Sequence, residues 1–342
     1  MAMTSADPAA ERFPTPAGFA APAGVTFRHL RAPDDFPAMN EIANAYRRAV
    51  GMSFTTTDEQ MAEFYATATR FEPARDVAIA ERDGRMIGYV RSGLNVEGTG
   101  RHVYELVPFL DPAVDPDPVY PAMLALIEGH IQGLAAADPA PDKVVATFGG
   151  DAAPALEQLV LAAGFRPVRH GYSMVRPHVE DLLESDLPGG LEIRPVRPED
   201  VRAIWDAEVE AFRDAYGFIE PTDDDYQRFL TDPNDSQTDL WQVAWDGDRV
   251  AGQVRAFINA LENEQLDRKR GYTEHISVGR PWRRQGVARA LIGASIRALR
   301  ERGMTETALG VDTENVSGAL RLYEACGYVP EARTTTYEKP IA

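Results

Sequence analysis

The chain repeats itself, and a repeat of this length leaves few folds open. Phe27-Arg28-His29-Leu30-Arg31-Ala32-Pro33-Asp34 returns 166 residues later as Ile193-Arg194-Pro195-Val196-Arg197-Pro198-Glu199-Asp200, each copy a short strand running into a helix start. Asp83-Gly84-Arg85-Met86-Ile87-Gly88-Tyr89-Val90-Arg91 is echoed at Asp246-Gly247 through Arg255, where Asp-Gly makes a hairpin turn between apolar strands. Leu161-Ala162-Ala163-Gly164-Phe165 matches Glu324-Ala325-Cys326-Gly327-Tyr328, a helix closed by glycine and followed by a strand. Three landmarks in the same order at nearly one spacing describe two homologous domains, because the period is far too long for a solenoid.

The 342 residues suit two domains of roughly 150 each. The expected division is a flexible Ala/Pro-rich leader over 1–24, an N-terminal domain over 25–178, a linker over 179–190 and a C-terminal domain over 191–342. Composition is that of a globular protein, 44% hydrophobic and 26% charged. The formal charge of −18 argues against binding to nucleic-acid backbones. A single cysteine, Cys326, leaves no disulfide framework and no cysteine-built zinc site, so packing is its expected role and the cytoplasm its expected compartment. No apolar stretch has the length of a membrane span, so no membrane is expected.

In the second copy the pattern predicts strands over 191–197, 240–245, 249–260, 272–279 and 305–311, with final strands near 328–339. Helices are expected over 198–212, 222–231, 284–302 and 315–326. Helices interleaved with strands around one hairpin predict an α/β fold, a mixed and mostly antiparallel sheet flanked by helices in each copy. The segment from Glu274 to Leu291 is then a strand, a glycine-bearing loop and the opening of a long helix. Such a junction aims unpaired N–H groups and the positive end of the helix dipole at one spot, which suits a diphosphate. Gly286 admits a close approach and Ala288 keeps the first turn narrow. Ten basic and two acidic residues between Arg268 and Arg302 add a local positive island.

Arg283-x-x-Gly286-x-Ala288 directly after a strand, followed by Asn315-Val316-Ser317-Gly318-Ala319-Leu320-Arg321-Leu322-Tyr323, resembles the fingerprint of the GNAT acyltransferase superfamily. The likeness is strong over 191–339 and extends to 25–178 only through the fold, so the chain reads as two tandem GNAT-like domains. The resemblance implies acetyl-CoA as co-substrate, without a metal. The N–H groups of Arg284, Gln285, Gly286, Val287, Ala288 and Arg289, with Arg283, would bind its diphosphate. The main chain of Ile276, Ser277 and Val278 would pair with the pantetheine arm, the Val278 N–H facing the thioester oxygen. Asn315 would reach the same arm, although it could equally cap its helix. Tyr323 would protonate the departing thiolate.

An ammonium has no lone pair, so a base is also needed. Glu274 is the choice, since alternation places it on the same face as Ile276 and Val278, whereas His275 has the opposite parity; an ion-pair role for Glu274 stays open. Tyr216 and Phe218 are expected near the acceptor. The first copy lacks these devices: its corresponding loop, Leu110 to Tyr120, carries Asp111, Asp115 and Asp117 with Pro112, Pro116 and Pro118, and Val160 and Ala152 stand opposite Tyr323 and Asn315. It is expected to bind no coenzyme productively and instead to support the acceptor cleft. The expected activity is direct N-acetyl transfer to a small primary amine by a monomer or homodimer. A mycothiol synthase-like acetylation of a cysteinyl sugar amine and a non-catalytic acyl-CoA sensor are the alternatives.

Overall fold

The computed structural model describes residues 12–52, 55–181, 185–315 and 317–341. The first copy runs β1 (Val25–His29), α1 (Phe36–Ala49), α2 (Asp58–Ala66), α3 (Pro73–Asp76), β2 (Val77–Arg82), β3 (Arg85–Val96), β4 (His102–Leu110), α4 (Pro116–Ala135), β5 (Lys143–Gly150), α5 (Pro154–Ala162) and β6 (Arg166–Arg176). The second runs β7 (Glu192–Ile193), α6 (Val201–Phe212), α7 (Asp223–Thr231), β8 (Gln242–Asp246), β9 (Arg249–Phe257), α8 (Ala260–Gln265), β10 (Arg270–Val278), α9 (Val287–Glu301), β11 (Glu306–Asp312), α10 (Ala319–Ala325) and β12 (Val329–Pro340). Among the described residues no helix is long and apolar enough to cross a membrane.

Two compact units emerge, but they do not follow the sequential boundary expected at 178–191. Unit 1 holds residues up to Arg169 together with Thr334–Ala342, and unit 2 holds His170–Arg333. The copies exchange their last strands. Thr334–Pro340 of β12 pairs antiparallel with β5 in unit 1, and Gly171–Arg176 of β6 pairs antiparallel with β11 in unit 2. The exchange satisfies the peptide groups along those edges of β5 and β11, which would otherwise stand exposed. It also draws the expected linker into the structure, since Val179 is 2% exposed and packs with Met174 and Tyr328.

Each unit shows the same irregularity. In unit 1 the parallel pair β4 and β5 holds only from His102↔Lys143 to Glu105↔Ala146, and in unit 2 β10 and β11 hold only from Arg270↔Glu306 to Tyr272↔Ala308. Beyond those points the strands separate and leave a crevice. The α4 helix covers a core in unit 1 that includes Met123, Leu124 and Ile127, while α9 brings Val287, Leu291 and Ile296 against Val254 and Leu309 in unit 2.

Several expected elements differ. Residues 12–24 are not a free leader: Phe13 is 2% exposed and packs beside His29, and Phe19 meets Phe27 edge to face. Residues 1–11 of that stretch lie outside the described residues. The strand expected over 249–260 stops at Phe257, because Asn259 caps α8 by accepting from the Glu262 N–H. The helix expected from 315 begins at Ala319, after Gly318 in the left-handed conformation.

Tyr337 belongs to the sequence of the second copy but lies in the core of unit 1, 1% exposed, with its hydroxyl donating to Glu157 at 2.5 Å. Tyr337→Ala is expected to destabilise unit 1 by about 3–5 kcal/mol, as for other buried aromatic truncations. Hydrogen exchange should show amides of β5 losing protection while those of β9 and β10 keep theirs.

Candidate active site

The site is built on the separation of β10 from β11. Glu274 lies two residues past the last paired position, and its Oε1 accepts from the Gly310 N–H at 2.8 Å, so the carboxylate spans the opened crevice. Burial raises its pKa to about 7, against the opposing pull of the neighbouring His275 and the Gly310 N–H. Tyr323 on α10 is 7% exposed and packs edge to face on Tyr328. Burial, and then the negative charge of Glu274, push its pKa well above that of an ordinary phenol. A tyrosine that stays protonated thus lies within electrostatic reach of a carboxylate that titrates near neutrality.

Glu274 does not share a face with Ile276 and Val278, contrary to the expected alternation. The register passes from Glu274↔Arg255 to Ser277↔Gln253, so three residues of β10 oppose two of β9, and His275 takes φ 53°. This β-bulge inverts the alternation. Ser277, rather than Ile276 or Val278, shares the side of Glu274. Ile276 and Val278 turn their side chains toward the α9 core. The Gly279 N–H donates to Ala251 O at 3.0 Å, and N–H groups alternate along an antiparallel ladder, so the Val278 N–H points away from β9 into the crevice.

The loop from Gly279 to Gly286 is held from several sides. Trp282 Nε1 donates to Asp246 in the β8–β9 hairpin, and Arg249 lies 4.5 Å from the Trp282 ring centroid. A Cβ at Gly279 would stand 2.8 Å from that ring, so only glycine fits. Arg283 donates to Val278 O and Ala211 O, both at 3.0 Å, and Gln285 to Pro281 O. Arg284 and Gly286 take φ 60° and 89°. This contour turns the chain into α9 with a row of free donors: none of the N–H groups from Arg284 to Arg289 bonds to another described backbone group. Val287 is buried beneath the turn and Arg289 reaches Ala325 O. A helix start with six uncommitted N–H groups is an anion cradle.

The positive island is weaker than its residue count. Arg270 is buried between Glu306 and Glu331, Arg268 pairs with Glu262, Arg280 with Asp214 and Arg302 with Asp239. These charges fasten the unit together. Arg283 also acts as a clamp, which leaves Arg284 as the side chain in the loop without a described partner. Asn315 lies in the turn before α10, where its Oδ1 accepts from the Ser317 N–H; it is not on a helical stripe with Ala319 and Tyr323. Cys326 is fully buried, and burial raises its thiol pKa. Tyr216 and Phe218 lie in the loop after α6, beside the Asp214 that holds Arg280.

One cluster was hidden from sequence reasoning. His275 Nδ1 and Glu208 Oε1 are 2.7 Å apart, Glu208 pairs with Arg255 at 2.6 Å, and Asp235 lies within 3.4 Å of Arg255. Desolvation lowers the His275 pKa, but Glu208 outweighs it and the net shift is upward. The only signal for it was the juxtaposition of Glu274 and His275, which strict alternation sends to opposite faces.

Residues 201–328 match the model of the acetyltransferase (GNAT) family. No curated protein sequence matches the chain. Among solved structures, a GCN5-related N-acetyltransferase from Sphaerobacter thermophilus superposes with a TM-score of 0.71 at 22% identity, covering 94% of this chain and 97% of that one. A tandem GNAT protein from the clavulanic acid biosynthesis pathway gives 0.67 at 15% identity, covering 93% and 99%. A GNAT-family acetyltransferase from Colwellia psychrerythraea gives 0.55 at 12%, covering 92% and 99%. These likenesses extend the two-copy fold over nearly the whole chain. The stretch that matches the acetyltransferase (GNAT) family model, residues 201–328, lies inside unit 2.

Proposed function

We propose that unit 2 transfers an acetyl group from acetyl-CoA to the primary amine of a small acceptor, by direct attack within one ternary complex. The observation that carries this reading is the placement of three features along one stretch of chain: the crevice that opens after Tyr272↔Ala308, the inward Val278 N–H and the cradle of free N–H groups from Arg284 to Arg289. An extended thioester with a diphosphate at its far end matches that sequence of groups. The co-substrate supplies an activated acyl group and a thiolate leaving group.

The residues of the chain then have separate tasks. Glu274, half ionised near pH 7, takes a proton from the acceptor ammonium and exposes its lone pair. The Val278 N–H stabilises negative charge on the acyl oxygen. Tyr323, protonated at neutral pH, gives its proton to the departing sulfur. The overall charge of −18 favours a cationic acceptor by steering.

Tyr323→Phe is expected to lower kcat by about a hundredfold, within the range of a lost general acid, with little change in coenzyme affinity. A variant of undiminished turnover would remove the proposed acid, and loss of binding without loss of turnover would reverse the assignment. Calorimetric titration should find one coenzyme equivalent per chain, because the first copy has proline and aspartate where the cradle stands in the second. Two equivalents would contradict this.

The raised pKa of Glu274 fixes a pH dependence. Folding disfavours its ionised form, so its contribution to stability is fully present below about pH 4.5 and is lost as pH rises through about 7. Relative to wild type, Glu274→Gln should gain up to about 3 kcal/mol across that window in urea unfolding, since one pKa unit corresponds to about 1.4 kcal/mol. Over the same window wild-type kcat/KM should rise with pH and level off above 7, while the variant shows no such rise.

A further inference from the structure

Unit 1 holds a partly open cavity of about 370 Å³ that the acyl transfer proposed for unit 2 does not use. It lies where β4 and β5 separate after Glu105↔Ala146, with Leu106–Phe109 of one strand and Thr147–Gly150 of the other in its wall. Residues of α1, α2 and α5 complete the wall. The volume falls in the range of small-molecule pockets, roughly 300–1000 Å³. Four tyrosines and three phenylalanines contribute rings, so most of a bound molecule would touch apolar surface.

The charged groups lining the α1, α2 and β3 side are cationic. Arg47, 9% exposed, donates to the neutral oxygens of Asn44 and Thr56 at 3.0 Å and lies 5.5 Å from the Phe109 centroid. Arg91 lies 5.4 Å from the Phe64 centroid and 5.1 Å from that of Phe71, with Glu105 at 3.7 Å. Burial pulls the Arg47 pKa down, and repulsion from Arg91 adds to it. On the α5 side Glu157 is engaged by the Tyr337 hydroxyl. Thr147 Oγ1, buried in the wall, has no described hydrogen-bond partner. Arg47 and Arg91, each over an aromatic face and Arg91 also beside Glu105, are the two cations that line the cavity.

A coenzyme diphosphate does not fit this end of the fold. Asp111, Asp115 and Asp117 flank the start of α4, and Pro116 and Pro118 remove two of the N–H donors. We infer that the cavity binds an amphipathic monocarboxylate, an aromatic or short acyl body among the tyrosines with its carboxylate on Arg47 and Arg91. The inference is independent of the activity proposed for unit 2.

The test is calorimetry on the full chain with 2-naphthoate and its uncharged analogue 2-naphthol. Naphthoate should bind one per chain. Naphthol should bind at least about tenfold more weakly, the loss expected when a charge-assisted hydrogen bond is removed. Arg91→Gln should weaken naphthoate by a similar factor and leave naphthol unchanged, with Arg91→Lys restoring part of the loss. Equal affinity for the two ligands on the wild-type protein, a comparison that needs no variant, would overturn the inference. So would absence of naphthoate binding, an affinity untouched by Arg91→Gln in a folded variant, or stoichiometric displacement of naphthoate by coenzyme A, which would make the cavity a second coenzyme site.

Discussion

Two strands that run parallel for three residues and then separate leave rows of peptide groups with no partner, and a buried peptide group without a partner is costly. Unit 2 is organised around that cost. Glu274 takes up one orphan, the Gly310 N–H, by reaching across the gap. The Val278 N–H is left facing the crevice, hydrogen bonding that the sheet itself leaves undone. The loop that follows extends the same logic, since left-handed turns at Arg284 and Gly286 aim the first amides of α9 outward instead of folding them into the helix.

The same separation occurs in unit 1, and comparing the copies shows which features belong to the fold and which to the chemistry. Both crevices exist because the parallel pair is short in both. Only the second is followed by a loop that presents free N–H groups; in the first, proline and aspartate occupy the equivalent stretch. Val160 stands where unit 2 has Tyr323, fully buried in the apolar core of unit 1. The two copies therefore share the opening while the groups around it differ, free N–H groups and a buried carboxyl in one and an aromatic, cationic wall in the other.

Much of this was legible in the sequence because it depends on local rules. The Asp-Gly hairpins, the glycine-closed helices and the strand that turns through Gly286 into α9 announce themselves in short stretches, and together they give two copies and the cradle. What escaped depends on distant partners. The exchange of β6 and β12 is decided by which sheet edge each strand meets, a long-range choice that no short stretch of sequence encodes. The bulge at His275 changes no residue type, yet it inverts the side on which every later side chain of β10 falls. The basic island misled for a related reason: a count of arginines does not reveal that Arg268, Arg270, Arg280 and Arg302 are each matched by an acid brought from elsewhere.

The bulge is also what separates two adjacent titratable groups into different environments. Glu274 goes to the crevice, where desolvation raises its pKa, and His275 goes to Glu208, Arg255 and Asp235, where the acid on α6 favours its charged form. The two remain neighbours along the chain, so the charge on His275 acts on Glu274 and lowers its pKa from where burial alone would set it. A carboxyl in a drier pocket without that cation would titrate higher and be less ionised at neutral pH. With it, burial still prevails and the Glu274 pKa stands at about 7. The bulge at His275 thereby couples the cluster of Glu208, Arg255 and Asp235 to the titration of Glu274.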